Sequence, residues 1–323
     1  MTDKKIIAVV GATGAQGGGL VRAILADADS PFAVRALTRN PGSDKARALA
    51  AAGAEVVQAD LDDAESVVSA FTGAYGAFVV TNFWEERAIG EEDTPEARGD
   101  KEFAQADTAA RAAAEAGLKH VVWSTLDDTR KFFGDDTSVP SLGKYKVPHF
   151  DAKADANELF VKYGVPTTLL NTTFYFEGFM SGLALSRDKD GKAIVILPMA
   201  DAPLAGVAAE DIGKTAYAIF RDSAAFIGKT VGLAGDHLTG EQYARALSVA
   251  MGEEVSYRPP TWDEYRAQPW VVAVEAGNMF EYYARNHEQY TGERSPDAIR
   301  RINPDLQSFD DWLAAHPGQV TVS

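Results

Sequence analysis

The chain has 323 residues, of which 46% are hydrophobic, and its 31 Lys and Arg against 47 Asp and Glu give a formal net charge of −16. A surface this acidic repels nucleic-acid phosphates and anionic lipids, so we expect no direct binding to nucleic acid or to a membrane. The absence of cysteine excludes disulfides, thiolate catalysis and cysteine-ligated metal, and the five histidines lack metal-ligand spacing, so no metal site is expected.

Short apolar segments alternate with helical segments through the first half of the sequence. The first, residues 6–10, is too short for a signal-peptide core, and no segment reaches the ~20 apolar residues of a membrane span, so the expected location is the cytoplasm. Strands are predicted at residues 6–10, 34–38, 55–59, 77–80, 121–124 and 167–171, with helices between them. This alternation predicts right-handed βαβ crossovers and a doubly wound α/β fold with a parallel sheet.

The second half of the sequence is less regular. It predicts strands at 194–197 and 230–234 and helices at 208–221, 270–285 and 309–316, and two further helices open at capping boxes that begin with Thr239 and Thr261. We expect residues 1–172, with part of 205–237, to form the doubly wound domain, and residues 173–204 and 238–323 to form a smaller α+β lobe. The aromatic residues of this lobe are expected to pack it against the sheet, with a ligand wall as the alternative.

A glycine-rich turn follows the first predicted strand and opens the first predicted helix. Glycines let the backbone approach a pyrophosphate closely, and the helix N-terminus presents free N–H groups and a partial positive charge to phosphates. Because a strand precedes the turn and a helix follows it, the pattern predicts a dinucleotide site rather than a plain turn. The residues expected to contact the dinucleotide here are Gly11, Thr13, Gly14, Ala15, Gln16 and Gly17.

The end of the second predicted strand indicates which dinucleotide binds. NAD sites carry a carboxylate there for the ribose 2′-hydroxyl, whereas this chain has Thr38, Arg39 and Asn40. A guanidinium at this position matches a 2′-phosphate, and Lys45 in the next helix adds positive charge. A solvated surface arginine is the alternative for Arg39. The expected cofactor is therefore NADP(H).

Loops after the third and fourth predicted strands supply further candidates, because ligands bind outside the carboxyl ends of parallel strands. Asp60 and Leu61 are expected beside the adenine ring. The phosphates and the nicotinamide ribose are expected to be flanked by Thr81, Asn82, Phe83 and Trp84. For each of these residues, a role confined to the loop, such as capping, is the alternative.

Several motifs occur in the same order as in a known family. Besides the glycine turn, they are Thr38-Arg39-Asn40-Pro41, Asp60-Leu61-Asp62-Asp63, Val80-Thr81-Asn82-Phe83-Trp84, His149-Phe150-Asp151-Ala152-Lys153, Tyr175-Phe176-Glu177 and Asp310-Asp311-Trp312-Leu313. With these motifs the chain resembles the NmrA-like family, an atypical branch of the short-chain dehydrogenase/reductases, over nearly its whole length. The resemblance implies a Rossmann fold, NADP(H) contacts that include Phe174, Tyr175, Phe176 and Glu177, and a sensor of the NADPH/NADP⁺ ratio.

The resemblance also indicates which residues would carry catalysis. Active relatives use Tyr-x-x-x-Lys on a helix, and the matching positions here are His149 and Lys153, which the i, i+4 spacing puts on one helix face. Lys153 can still bind the nicotinamide ribose. Its ammonium disfavours a charged imidazolium at His149, however, and a neutral imidazole is a poor acid. Ser124 keeps the hydroxyl position of the family.

Tyr145 is the alternative proton donor. It lies four residues before His149 in the irregular segment 127–148, and a folded loop could bring it to the nicotinamide. Pro148 argues against one continuous helix through Tyr145 and His149. A packing or surface role is the other interpretation of Tyr145.

The sequence leaves two functions open. The leading prediction is an NADP(H)-binding redox sensor with weak or no dehydrogenase activity, because Arg39 is present and the catalytic tyrosine is replaced; its expected partners are a regulated protein and a second copy of the chain. The alternative is an NADPH-dependent reductase of a quinone, an enone or another small carbonyl compound. A DNA-binding repressor is disfavoured by the net charge of −16 and the lack of a helix-turn-helix signature.

Overall fold

The alternating segments of the first half form strands and helices in the predicted order in the computed structural model, which describes residues 4–85, 92–320 and 322. The strands are β1 (Lys5–Val9), β2 (Phe32–Thr38), β3 (Glu55–Gln58), β4 (Gly76–Val79), β5 (His120–Thr125) and β6 (Thr167–Asn171). The helices are α1 (Ala15–Ala26), α2 (Asp44–Ala51), α3 (Ala64–Phe71), α4 (Pro95–Glu115), α5 (Arg130–Phe133) and α6 (Pro148–Lys162). Short helix α5 lies inside the segment predicted to be irregular.

The second half contains shorter elements. Its strands are β7 (Phe174–Tyr175), β8 (Leu185–Arg187), β9 (Ala193–Val195), β10 (Leu204–Val207), β11 (Thr230–Gly232), β12 (Asp236–Leu238) and β13 (Val255–Tyr257). Its helices are α7 (Ala209–Arg221), α8 (Ser223–Phe226), α9 (Gly240–Met251), α10 (Trp262–Arg266), α11 (Ala273–Arg285), α12 (His287–Gly292), α13 (Pro296–Arg300) and α14 (Phe309–Ala315), and a 3₁₀ turn spans Phe176–Phe179. Both predicted capping boxes form, at the starts of α9 and α10.

Seven parallel strands form the central sheet, in the order β11-β6-β5-β4-β1-β2-β3. The predicted doubly wound fold is therefore confirmed. The chain reverses its direction of winding at β1, which pairs with β2 on one side and β4 on the other. Ligands of such sheets bind outside the carboxyl ends of the strands at this reversal.

Two small sheets accompany the central one, β12-β10-β7 and β13-β9-β8. Of the segment 205–237, only β11 joins the central sheet, whereas β10 and β12 pair in the first small sheet. The division into two lobes at residue 172 stays a prediction.

Glycines bring helix α1 close to helix α7 on one face of the sheet. A Cβ at Gly213 would lie 2.0 Å from the backbone nitrogen of Leu20, and a Cβ at Gly19 would lie 2.5 Å from the carbonyl oxygen of Glu210. Backbone atoms cannot yield to such contacts, so the close approach requires glycine at both positions. This packing fixes α1, and with it the glycine turn that precedes the helix. Among the described helices, none has the length and apolar character to cross a membrane.

Candidate functional site

A cleft of about 1890 Å³ opens at the carboxyl ends of the central strands. We divide it into two halves. The nucleotide half is lined by the glycine turn 11–17 and by the residues that follow β2 and β3. The aromatic half is lined by Phe83, Trp84, Phe150, Phe174, Tyr265, Trp270, Met279 and Tyr283. Strand ends from the sheet and helices α10 and α11 from the second half of the chain thus face the same space.

The glycine turn has the geometry of a phosphate cradle. Gly11 has a φ of +66°, and Gly14 N–H donates to the carbonyl oxygen of Gly11 at 2.9 Å. A Cβ at Gly17 would lie 2.5 Å from that same oxygen, so only glycine lets α1 start this close to the turn. The N-cap residue of α1 is Gly14, and no side chain caps the helix. The first N–H groups of α1 therefore face the cleft without a side-chain acceptor, and they suit an anion.

Arg39 follows β2 and lines the nucleotide half together with Lys45, Asp60 and Leu61. Its guanidinium is 60% exposed and forms an ion pair with Glu85, a residue that the sequence analysis did not single out. Asp60 also accepts a hydrogen bond from the backbone N–H of Asp62 at 3.0 Å, so it makes the local turn contact that was its alternative role. A positive charge is therefore present where a 2′-phosphate is expected, and the carboxylate of Glu85 competes with that phosphate for it.

Lys153 belongs to a buried polar cluster rather than standing free in the cleft. Its ammonium donates to Thr81 Oγ1 at 2.5 Å and lies 2.9 Å from Glu102 Oε1, while Thr81 Oγ1 also donates to Glu102 at 2.7 Å. Glu102 lies on α4 and is 2% exposed. Its second oxygen, Oε2, is buried and has no hydrogen-bond partner in the described part of the chain. Lys153 thus has a counter-ion, Glu102, that was missed from the sequence. This carboxylate holds Lys153 where it lines the cleft.

Ser124 and Tyr175 are joined through Gln16 of the glycine turn. Ser124 Oγ donates to Gln16 Oε1 at 2.7 Å, and Gln16 Nε2 donates to the Tyr175 hydroxyl at 2.5 Å. Desolvation raises the pKa of Tyr175 to about 12. These hydrogen bonds link the glycine turn to the strand ends. Because its pKa is raised, the phenol of Tyr175 holds its proton tightly.

His149 pairs with a carboxylate from the second half of the chain. Its Nδ1 is hydrogen-bonded to Oε1 of Glu275, which lies on α11 and is 0% exposed. The imidazole packs against Phe83, Trp84 and Phe150, with ring centroids 5.5, 5.3 and 4.7 Å away. From the sequence, the ammonium of Lys153 is the only charged neighbour expected for His149. The environment is different, because Lys153 is neutralised by Glu102 and His149 faces a buried carboxylate of its own.

The sequence profile of the NmrA-like family matches residues 3–313. This chain belongs to the NmrA-like family. A relative from Malbranchea aurantiaca, named NmrA-like family domain-containing oxidoreductase malD, is 32% identical over 274 residues, which cover 81% of this chain and 77% of that protein.

Solved structures share the fold of this NmrA-like chain. The negative transcriptional regulator NmrA in complex with NADP superposes with a TM-score of 0.75 at 22% identity and covers 97% of this chain and 95% of its own. The NADPH-dependent quinone oxidoreductase QOR2 of Escherichia coli, complexed with NADPH, gives a TM-score of 0.72 at 22% identity and covers 96% of this chain and 99% of its own. At these identities the likeness establishes the architecture.

Two residues proposed from the sequence do not line the cleft of the NmrA-like protein. Tyr145 is buried, its hydroxyl donates to Asp100 at 2.8 Å, and burial together with this carboxylate raises the pKa of the phenol. Phe176 is fully buried and packs on Phe309, with ring centroids 5.1 Å apart. The loop turns the ring of Tyr145 against α4 and not towards the strand ends, which favours the packing interpretation of this residue.

The other candidate residues all line the cleft, although their contacts with a cofactor stay predictions. Glu177 has a structural task as well, since both of its carboxylate oxygens accept from the backbone N–H of Ala209 and cap α7. The aromatic residues of the second half serve both expected roles: Trp312 and Phe280 are buried in the core, Trp270 lines the cleft, and Tyr265 and Tyr283 do both. No group of potential metal ligands occurs within the residues that the structure describes.

Proposed function

We propose that this NmrA-like protein is an NADP(H)-dependent oxidoreductase that reduces a planar conjugated carbonyl compound, such as a quinone or an enone. The observation that carries the proposal is the extension of the cleft beyond the nucleotide half into the aromatic half. A protein that only sensed the cofactor would need no room there. Aromatic and thioether side chains favour a flat apolar substrate.

The nucleotide half supports NADP(H) as the cofactor. The uncapped start of α1 and the glycine cradle suit a pyrophosphate, and Arg39 with Lys45 suits a further phosphate on the ribose. When bound, the cofactor supplies a hydride. The structurally similar NmrA and QOR2 are described with NADP and NADPH, and the Malbranchea relative is named an oxidoreductase, which supports the same proposal for this chain.

Two measurements test the proposal together. Calorimetry should show NADP⁺ binding about 10- to 100-fold tighter than NAD⁺, the range expected from charge-assisted hydrogen bonds to the added phosphate. A panel of quinones and enones should then drive steady NADPH oxidation. Equal affinity for both dinucleotides would contradict the role of Arg39, and tight NADPH binding without oxidation by any panel member would contradict the reductase function.

The Arg39–Glu85 ion pair favours a second candidate function, the redox sensor. A 2′-phosphate would compete with Glu85 for the guanidinium, so NADP(H) but not NAD(H) would release the Glu85 carboxylate. A regulated protein or a second copy of the chain would then respond to the freed carboxylate, and either function suits the cytoplasm. A change of oligomeric state or of proteolytic pattern with NADP⁺, absent with NAD⁺, would support this candidate.

A further inference from the structure

We propose that His149 donates the proton that completes substrate reduction and that Glu275 positions and charges it for this task. The inference rests on the proposed reductase function and names the residue that replaces the family's missing phenol. The two side chains come from α6 and α11, so the proton donor exists only when the two halves of the chain are packed together.

The hydrogen bond between the two residues leaves one ring nitrogen for chemistry. Glu275 Oε1 accepts from Nδ1 of His149 and lies 3.5 Å from its backbone nitrogen. In the described part of the chain no hydrogen bond is made by Nε2, and His149 lines the cleft between Phe83, Trp84 and Phe150. A carboxylate on Nδ1 sets the tautomer and stabilises a positive charge on the ring, which makes Nε2–H a competent acid.

The charges around the imidazole support this assignment. Glu275 is 0% exposed, and its other oxygen, Oε2, has no hydrogen-bond partner among the described residues, so the hydrogen bonds that Glu275 accepts there all come from His149. The nearest cation on the same helix face is Lys153, which is held by Glu102. The remaining neighbours of the ring are uncharged aromatic side chains. The charged group that faces the imidazole is therefore the carboxylate of Glu275.

The phenols of Tyr145 and Tyr175 are weaker candidates. Tyr145 is directed to Asp100 and lies outside the cleft. The pKa of Tyr175 is raised to about 12 by desolvation, and its partner is the neutral side chain of Gln16. Phenol catalysis needs a nearby cation to ease proton loss, and Lys153 is engaged by Glu102 instead.

The reaction balances with NADPH as the reductant. The β-carbon of an enone accepts a hydride from NADPH, the C=C electron pair shifts towards the carbonyl oxygen, and that oxygen takes the proton from Nε2 of His149. One C–H bond of the reductant and the Nε2–H bond of the imidazolium break, and one C–H bond at the β-carbon and one O–H bond form. The products are NADP⁺, the enol of the reduced compound and a neutral imidazole, which takes up H⁺ from the solvent, so each turnover consumes one NADPH and one H⁺.

Three variants test the proposal: His149→Gln, Glu275→Gln and the double variant. Each single change should lower kcat by on the order of 10²-fold, the contribution of a positioned general acid, with little change in NADPH affinity. The double variant should lose no more than either single one, because the two residues act as a unit. His287→Gln and Glu288→Gln on α12, outside the cleft-lining residues, are the matched controls.

Nitrogen NMR of the imidazole gives a readout that does not depend on turnover. His149 should lose its charge at a lower pH in Glu275→Gln than in the wild type, and the pH above which kcat falls should move down by the same amount. If the wild type reduces substrates and both single variants keep their rates, or if only Tyr175→Phe is inactive, the proton-donor assignment is overturned while the reductase function stands. If the wild type binds NADPH but reduces no panel member, the reductase function is overturned, and the proton-donor role with it.

Discussion

Gly11 and Arg39 are separated by fewer than 30 residues and both line the cleft, whereas His149, which lines it too, is paired with Glu275, 126 positions away in the sequence. The nucleotide half is built from consecutive βα units, so each of its residues follows a strand that can be read from local pattern. The aromatic half requires contacts between distant segments. The residues expected to recognise the cofactor are thus set by local sequence, whereas the proposed chemistry in the aromatic half is a tertiary property.

The largest effect is expected at the buried ion pair between Lys153 and Glu102. Glu102→Ala should lower the free energy of unfolding by about 3–5 kcal/mol, because it leaves an uncompensated buried ammonium. Urea denaturation measures this effect. Glu115→Ala, an exposed position on the same helix, should change stability by less than about 0.5 kcal/mol. Equal unfolding midpoints for the two variants would show that the buried ammonium of Lys153 does not depend on this long-range pair.

The amino edge of the same sheet provides a histidine to compare with His149. His120 is 0% exposed, contacts the hydroxyls of Ser223 and Thr168 instead of a carboxylate, and has a pKa lowered by burial to about 4 from 6.5. Between these two pH values the unfolded chain binds the extra proton. The folded state should therefore lose up to about 3 kcal/mol as the pH falls through this window.

The difference between wild type and His120→Gln isolates this contribution from that of the titrating carboxylates. Between pH 7 and pH 4 the unfolding free energy of the wild type should fall more than that of the variant. A difference independent of pH would mean that His120 is not held neutral. His120, which is paired with hydroxyls, would then not differ in this respect from His149, which is paired with a carboxylate.

A substitution of Arg39 tests the nucleotide half of the cleft, which is built from local sequence. Arg39→Ser should weaken NADP⁺ binding by about 2 kcal/mol, roughly 30-fold, through loss of charge-assisted hydrogen bonds to the 2′-phosphate, and should leave NAD⁺ binding nearly unchanged. Calorimetry with both nucleotides measures the change. Arg47→Ser, a loss of the same charge on exposed α2, is the control. Equal losses for the two variants would reduce Arg39 to a general electrostatic role.

The smallest effect is expected at Glu85. Glu85→Gln removes the carboxylate that competes for Arg39, so NADP⁺ should bind up to about 1 kcal/mol more tightly, the upper range for an exposed ion pair. The same calorimetric titration resolves a change of this size. Weaker binding in Glu85→Gln would show that Glu85 supports the nucleotide rather than excluding it.

Much of the site could be predicted because residues after parallel strands share one edge of the sheet. The glycine turn, Arg39 and Thr81 all lie in the cleft for this reason. Glu102 and Glu275 were both missed: Glu275 is a lone carboxylate in an apolar and small-residue stretch of its helix, which is a signal of burial, whereas Glu102 follows the charged residues Asp100 and Lys101 and carries no such signal. That signal shows that a carboxylate is buried, and it does not show which cation or imidazole lies opposite.

The amino-acid sequence by itself determined the order of strands and helices, the doubly wound sheet and the cofactor edge, because hydrophobic period, turn glycines and strand ends act over short stretches of chain. Only the tertiary structure decided the partners of the titratable groups. Tyr145 turned to Asp100, Lys153 to Glu102 and His149 to Glu275, since the packing of α4, α6 and α11 brings those side chains together. The proposed proton donor depends on such contacts, and no local pattern encodes them.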